Sequence, residues 1–288
     1  MESKINRYSK QLILINSFFI LAWLIISVFP FIWTFWGSFK VKADFFSRAD
    51  WMFAVTGVNT LIETGDTSTV KAYVESWTEG EFWKATMNTI IITVSVVTIS
   101  LFLGTLGAYA LSRSTYKYTF WILIAALIFR AMPHITLVSG YLFPFFQLNV
   151  WGILPTTIIV LVAINQPFTL WLLYSFFKTV PKELDESALI DGCSYFQAFR
   201  FVIMPVMWPG VVTAGLFSMM LAYNDFTVTS LLLNQQNYTM VPKINAYLGT
   251  IEHSGNYMWA VSSVVSATAP LFMICLLYTS DAADEAEC

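Results

Sequence analysis

The sequence predicts an all-α membrane protein that crosses the bilayer with six helices. Three observations carry that prediction. Hydrophobic residues make up 57% of the 288 positions and charged residues only 11%, whereas a soluble domain carries about 25% charged residues. Uncharged stretches long enough to cross a bilayer recur, as at Gln11–Phe39 and Ala85–Ser112. The polar residues are gathered into a few separate segments between these stretches. The same composition argues against nucleic-acid binding, since there is no basic patch and the net charge is −3. Cys193, Cys275 and Cys288 are far apart and show neither metal nor redox spacing.

Residues 1–10 form a basic leader with Lys4, Arg7 and Lys10. Gln11–Phe39 is longer than a signal-peptide core and has no clear small-residue cleavage site, so it is read as a retained first span ending before Ser38. Residues 41–84 are a polar loop with Gly57, Gly65 and Gly80, long enough for a small external subdomain. Ala85–Ser112 is the second span, where Gly104 and Gly107 allow close helix approach. After a tight turn around Lys117, Phe120–Gln147 is the third span, containing Arg130, Pro133 and Pro144. Gly152 and Pro155 mark a turn before the fourth span, Thr156–Phe177, which contains Asn165 and Pro167. Val211–Leu233 is the fifth span and Trp259 to about Tyr278 the sixth, with the polar loop 234–257 between them.

Six spans put both termini on one side. Lys4, Arg7, Lys10, Arg113, Lys117, Lys178, Lys182 and Arg200 fall on that side, and the short opposite segments offer only Lys243 and the membrane-level Arg130. The termini are therefore expected in the cytoplasm of a bacterial cell. Residues 11–275 are taken as one transmembrane domain. Residues 276–288 read as non-native, because Leu277–Glu285 resembles a translated transposon-end adapter sequence, the alternative being a genuine acidic tail.

The polar segment 178–210 reads as two short helices. Pro181 suits a first turn, and Glu183, Asp185 and Glu186 follow where the helix dipole favours negative charge. Leu184, Ala188 and Asp191 share one face. Gly192 is placed to end the helix in a left-handed conformation, and Ser194 with Gln197 forms a capping box for the next helix. That helix carries Tyr195, Phe196, Phe199, Val202 and Ile203 as an apolar stripe, and Pro205 and Pro209 restrict its exit.

This segment resembles the signature E-A-A-x-x-x-G, nine residues, I-x-L-P of ABC-importer permease subunits. It stands here as Glu186-Ser187-Ala188, Gly192 and Val202-Ile203-Met204-Pro205, with Ser187, Val202 and Met204 as departures. Val28-Phe29-Pro30, Ser38-Phe39-Lys40, Asn88-Thr89 and Ala108-Tyr109-Ala110-Leu111-Ser112-Arg113 resemble the carbohydrate-uptake (maltose-type) group of that family. The resemblance runs from about Val28 to Pro270. It implies a cytoplasmic coupling helix at 178–210 that docks on an ATPase, with Glu183, Glu186, Ser187, Ala188, Asp191, Gly192 and Pro205 as coupling residues. It also implies a second homologous permease, two ATPase subunits and an extracytoplasmic solute-binding protein. Transport would proceed by alternating access, and the cargo would be a sugar or oligosaccharide.

Arg130 either lines the translocation path, pairs with Asp225 or a sister subunit, or snorkels to an interface. Asn224 and Asp225 resemble an element near the external gate, although the usual proline after it is absent. In the loop 234–257, Gln236, Asn237, Tyr238 and Asn256 are uncharged hydrogen-bonding groups suited to meeting a binding protein, and Tyr238-Thr239-Met240 resembles the middle of the corresponding maltose-type loop. His134 and His253 are isolated, so no metal site is expected. The tryptophans, Trp23, Trp33, Trp36, Trp121, Trp151 and Trp259 among them, read as interface anchors or packing. No phosphate loop and no nucleophile–base arrangement is present, so the chain is expected to be no enzyme and to bind no cofactor, ATP acting through the partner subunits.

Other readings stay open. The cargo could be a polyamine or a phosphate ester. An ion-coupled carrier would favour inverted repeats and midplane carboxylates, of which only Asp225 is visible. A membrane scaffold gives no reason for the signature at 186–205.

Overall fold

The computed structural model describes residues 2–39, 68–249 and 257–286, and the regular secondary structure among them is helical. Five of these helices are long and apolar enough to cross a membrane, or six if one bent pair is counted as a span. Most of the loop 41–84, expected to be external, together with His253 and Asn256, lies outside the described residues.

Two compact units are present, residues 1–82 with 244–288 and residues 83–243. The first holds α1 (Glu2–Gly37), α2 (Ser68–Thr78) and α12 (Tyr257–Ala286). α1 is apolar on every side from Leu12 onward and leaves those side chains exposed, the pattern of a helix that meets lipid all round. It touches α12 through Phe31 and Phe272, whose rings meet edge to face at 5.2 Å. Polar bonds fix α2: Tyr73 donates to Ser38 Oγ (2.7 Å), and Trp259 Nε1 donates to Glu75 Oε2 (3.0 Å). Trp259 is thus a packed, hydrogen-bonded residue of this unit.

The second unit is built on α3 (Phe82–Arg113), α4 (Tyr118–Ala131), α5 (His134–Gln147) and α6 (Leu154–Thr179). It continues through α7 (Glu183–Ile190), α8 (Tyr195–Ala198), α9 (Met204–Tyr223) and α10 (Thr227–Leu232), into the start of α11 (Met240–Leu248). α6 is its centre, with Val160, Leu161, Ile164, Leu173 and Phe177 buried. Gly104 and Gly107 of α3 face α6: a Cβ on Gly104 would lie 3.1 Å from Leu173 and Thr169, and one on Gly107 3.1 Å from Leu170.

Gly210 of α9 is closer still. A Cβ there would stand 2.8 Å from Phe176 Cγ. Gly210→Val is therefore expected to destabilise the α6–α9 contact by roughly 1–3 kcal/mol, as overpacking does. The purified protein should melt at a lower temperature than the native form, and an unchanged melting curve would show that Phe176 can swing away.

Two spans differ from the sequence reading. The third is not one helix, because α4 and α5 meet at an angle of 85°. Met132 is extended (ψ 142°) ahead of Pro133, as the ring of a following proline requires, and that residue pair breaks the helix. The fifth span begins earlier and ends earlier, at Tyr195–Tyr223. A π turn at Phe199–Ile203 links α8 to α9, with the Met204 N–H donating to the Phe199 carbonyl. The wider turn absorbs Pro205, whose missing N–H would otherwise break the α-helical ladder. Pro205 therefore lies inside a running helix and does not end one. Asn224-Asp225-Phe226 then separates α9 from α10.

Candidate functional site

The segment between α6 and α9 folds as a short helix, a reversal and a second helix. Val180 is extended (ψ 121°) before Pro181, and this ends α6. α7 starts only at Glu183, with Lys182 as its N-cap, so Pro181 lies before the first turn and not in it. Glu183, Asp185 and Glu186 occupy that turn. At the other end Gly192 takes φ 89°, the left-handed conformation expected of it. Its N–H donates to Leu189 O (3.1 Å) and the Cys193 N–H donates to Ala188 O (3.0 Å). These are the two bonds of a Schellman stop. Ser194 and Gln197 then cap each other's backbone N–H groups at 2.8 and 3.3 Å. Every turn of the reversal is thus closed by its own hydrogen bonds.

Its inner face holds Phe199 and Ile203, which cluster with Phe177, Val180 and the half-buried Leu184, and Ala188 is buried as well. Glu183, Glu186, Ser187, Asp191, Gly192 and Pro205 are exposed, with Ser187 Oγ donating to Glu183 O at 2.7 Å. Three large apolar side chains are exposed beside them, Ile190 at 86%, Tyr195 at 74% and Phe196 at 64%. Tyr195 and Phe196 therefore do not share the inward stripe of Phe199 and Ile203. The stripe follows the helix only from Ala198 onward, and the first two residues of α8 point out of it.

Asp185 is the residue that sequence reasoning passed over. Its Oδ2 lies 2.7 Å from Arg113 Nη2, both side chains being largely buried. Its Oδ1 accepts from the Tyr109 hydroxyl. Arg113 Nη1 also donates to Val180 O (3.1 Å) and Phe177 O (3.3 Å), the last carbonyls around the end of α6. The Tyr109 ring packs on Phe177 (5.7 Å) and Phe199 (4.9 Å). The end of α3 is thereby joined to α6, α7 and the π turn after α8 at one point. A signal was available: Asp185 stands three residues before the buried Ala188, and a charge on an apolar helix face needs a partner.

Arg130, Asn224 and Asp225 have local roles. Asn224 Nδ2 donates to Met220 O (3.1 Å) at the end of α9. Asp225 Oδ1 accepts from the N–H groups of Val228 (3.0 Å) and Thr229 (2.9 Å), which starts α10. Arg130 does not pair with Asp225 among the described residues. Its guanidinium meets His134 Nε2 across the α4–α5 break, so His134 is not isolated.

In the loop after α10, Gln236 is exposed. Asn237 is engaged within the chain, its Nδ2 donating to Gly152 O (2.7 Å) and its N–H to Asn234 Oδ1 (3.0 Å). Tyr238 is half-buried against the core, and its carbonyl accepts from Asn88 Nδ2 (3.3 Å). Trp151 donates to Leu231 O (3.0 Å), so it staples the turn before α6 to the end of α10. Among the described residues no group of three or more His, Cys, Asp or Glu is placed to hold a metal ion.

Comparison with known proteins follows this geometry. The trehalose/maltose transport system permease protein MalG of Thermococcus litoralis is 30% identical over 274 residues, 93% of this chain and 92% of that protein. The diacetylchitobiose uptake system permease protein NgcG of Streptomyces coelicolor is 27% identical over 267 residues, 88% of this chain and 81% of that one. In the crystal structure of a bacterial ABC transporter involved in the import of the acidic polysaccharide alginate, one chain superposes with a TM-score of 0.74. It covers 93% of this chain and 95% of its own length at 18% identity, a likeness of fold. Residues 97–280, which contain the whole α6–α9 segment, match the family described as binding-protein-dependent transport system inner membrane component, and the chain belongs to that family.

Proposed function

We propose that this permease forms half of the translocation path of an ATP-driven saccharide importer. A second homologous permease supplies the other half, two ATPase subunits bind on the cytoplasmic side, and an extracytoplasmic solute-binding protein delivers the cargo. The termini and the α7–α8 reversal face the cytoplasm, in keeping with the basic residues at Arg113, Lys117, Lys178, Lys182 and Arg200. The saccharide assignment is supported by the relatives named for diacetylchitobiose and for trehalose/maltose. The chain itself performs no chemistry and holds no ATP.

One observation carries the reading. The reversal is closed by its own caps and joined to α3 through Asp185, yet it presents Ile190, Tyr195 and Phe196 outward beside Glu183, Glu186 and Asp191. A rigid knob with an apolar centre and an acidic border suits docking into a protein cleft. Glu183, Glu186, Ser187, Asp191 and Gly192 would line its contact with the ATPase, Ala188 would seat the knob from within, and Pro205 would lie in the helix that runs on behind it. On the opposite side Gln236 is the exposed candidate for touching the binding protein, since Asn237 and Tyr238 are engaged in the chain's own loop.

Glu186→Lys tests the docking face. The side chain is exposed, so the fold should survive, while the reversed charge opposes its partner. Uptake is expected to fall several-fold and ATP hydrolysis to lose its response to loaded binding protein. Native-level stimulation in the mutant complex would remove Glu186 from the interface.

A further inference from the structure

We propose that Arg130 and His134, at the break between α4 and α5, form a recognition point for an anionic group on the transported saccharide, a hexuronic carboxylate being the simplest. The inference rests on the orientation and saccharide assignment proposed above. α4 carries no charge from Tyr118 to Phe129. Arg130 stands twelve residues beyond Tyr118, about 18 Å along the axis at 1.5 Å per residue. In a hydrocarbon layer of about 30 Å that is near the middle. A guanidinium there is too deep to reach a lipid headgroup, and an intramembrane charge faces the interior of a bundle or a water-filled cavity. The end of α4 suits the cation, because the helix dipole is negative there.

The chemistry of the pair narrows the ligand. A guanidinium has no acceptor atom, so in its contact with His134 Nε2 the arginine is the donor. Asp225 is near enough to His134 to interact electrostatically, but its Oδ1 is taken by the amides of Val228 and Thr229. Among the described residues it makes no ion pair with Arg130. The remaining N–H groups of the half-buried Arg130 guanidinium meet no acceptor among these residues, and such a fork fits a planar carboxylate better than a neutral hydroxymethyl group.

The test uses the assembled importer in proteoliposomes, with paired di- and trisaccharides, maltose and diacetylchitobiose among the neutral members. Each acidic member carries a hexuronic acid in place of one hexose. The native complex is expected to import acidic members. Arg130→Gln should lower the ratio of acidic to neutral uptake about tenfold, the scale of one charge-assisted hydrogen bond. Arg130→Lys, which keeps the charge and loses the fork, should fall between. A native complex that imports neutral saccharides alone overturns the anion site and leaves the saccharide reading standing. One that imports no saccharide overturns both. An unchanged ratio in both variants, or equal loss of neutral and acidic uptake, assigns Arg130 to packing or to a charge on the sister subunit and overturns the proposal.

Discussion

Asp185→Ala is expected to abolish uptake while the protein still inserts into the membrane. The substitution leaves Arg113 buried without its carboxylate and removes the acceptor of the Tyr109 hydroxyl. Breaking one side of a buried ion pair costs about 3–5 kcal/mol, because the remaining charge keeps its desolvation penalty. That is a large share of the stability of a domain, and it falls on the one junction that ties α3 to the α7–α8 reversal. Arg113→Ala should do slightly less, since it leaves a carboxylate that still accepts from Tyr109, but it also frees the carbonyls of Phe177 and Val180. The exchange Asp185→Arg with Arg113→Asp separates charge from position. If attraction alone matters, the exchanged pair regains a measurable part of uptake. If the fork of Arg113 on the α6 carbonyls matters as well, it stays inactive. Native uptake in Asp185→Ala, measured with labelled sugar in proteoliposomes, would show that the reversal holds its place without α3.

Gly192→Val should uncouple the ATPase without dissolving the fold. Nothing lies within 4 Å of a Cβ at this position, so space is not the constraint. The constraint is φ 89°, which a β-branched residue adopts only at a cost of about 1–3 kcal/mol. The chain can relieve that strain by rotating out of the left-handed region, and both Schellman bonds are then lost. The reversal changes shape on its exposed side, next to Ile190, Tyr195 and Phe196. Co-purification of the ATPase should weaken and transport should cease, with normal melting of the permease. Gly192→Asn is the control: asparagine tolerates this conformation, and it should keep much of the activity. Equal loss in both variants would point to the side chain's bulk at the docking face.

How much of this was legible in the sequence follows from the range of each interaction. Gly192, Ser194 and Gln197 act within three or four residues, and their roles could be read from spacing. The spans could be read from uncharged length. The 85° break in the third was signalled by Pro133 but not sized, because a proline fixes its neighbour's ψ and leaves the angle between helices to packing. Pro205 misled for the opposite reason: the π turn that accommodates it has no strong residue signature. Asp185 looked like one of three equivalent acids, and only contact with Arg113, 72 positions earlier in the chain, distinguishes it from Glu183 and Glu186. Arg130 was noticed as a costly charge, but its partner sat one helical turn away on the far side of a break. Asn237 looked like a free contact group because its partner, Gly152 O, lies 85 residues distant.

The π turn has a mechanical consequence. Because α8 passes into α9 without interruption, Tyr195–Tyr223 is a single shaft of 29 residues, about 44 Å at 1.5 Å per residue. One end stands among the exposed side chains of the reversal and the other at Asn224-Asp225, where the chain turns into α10. A stiff shaft held near its middle by Gly210 on Phe176 behaves as a seesaw. A push on one end is then expected at the other as travel in the opposite direction, less whatever the π turn takes up. The five-residue π turn is the one place along its length where the helical register has slack. A change that tightens it to α-helical spacing would lengthen the shaft, because a π turn rises less per residue than an α turn, and would rotate the end that carries Tyr195 and Phe196 relative to the far end.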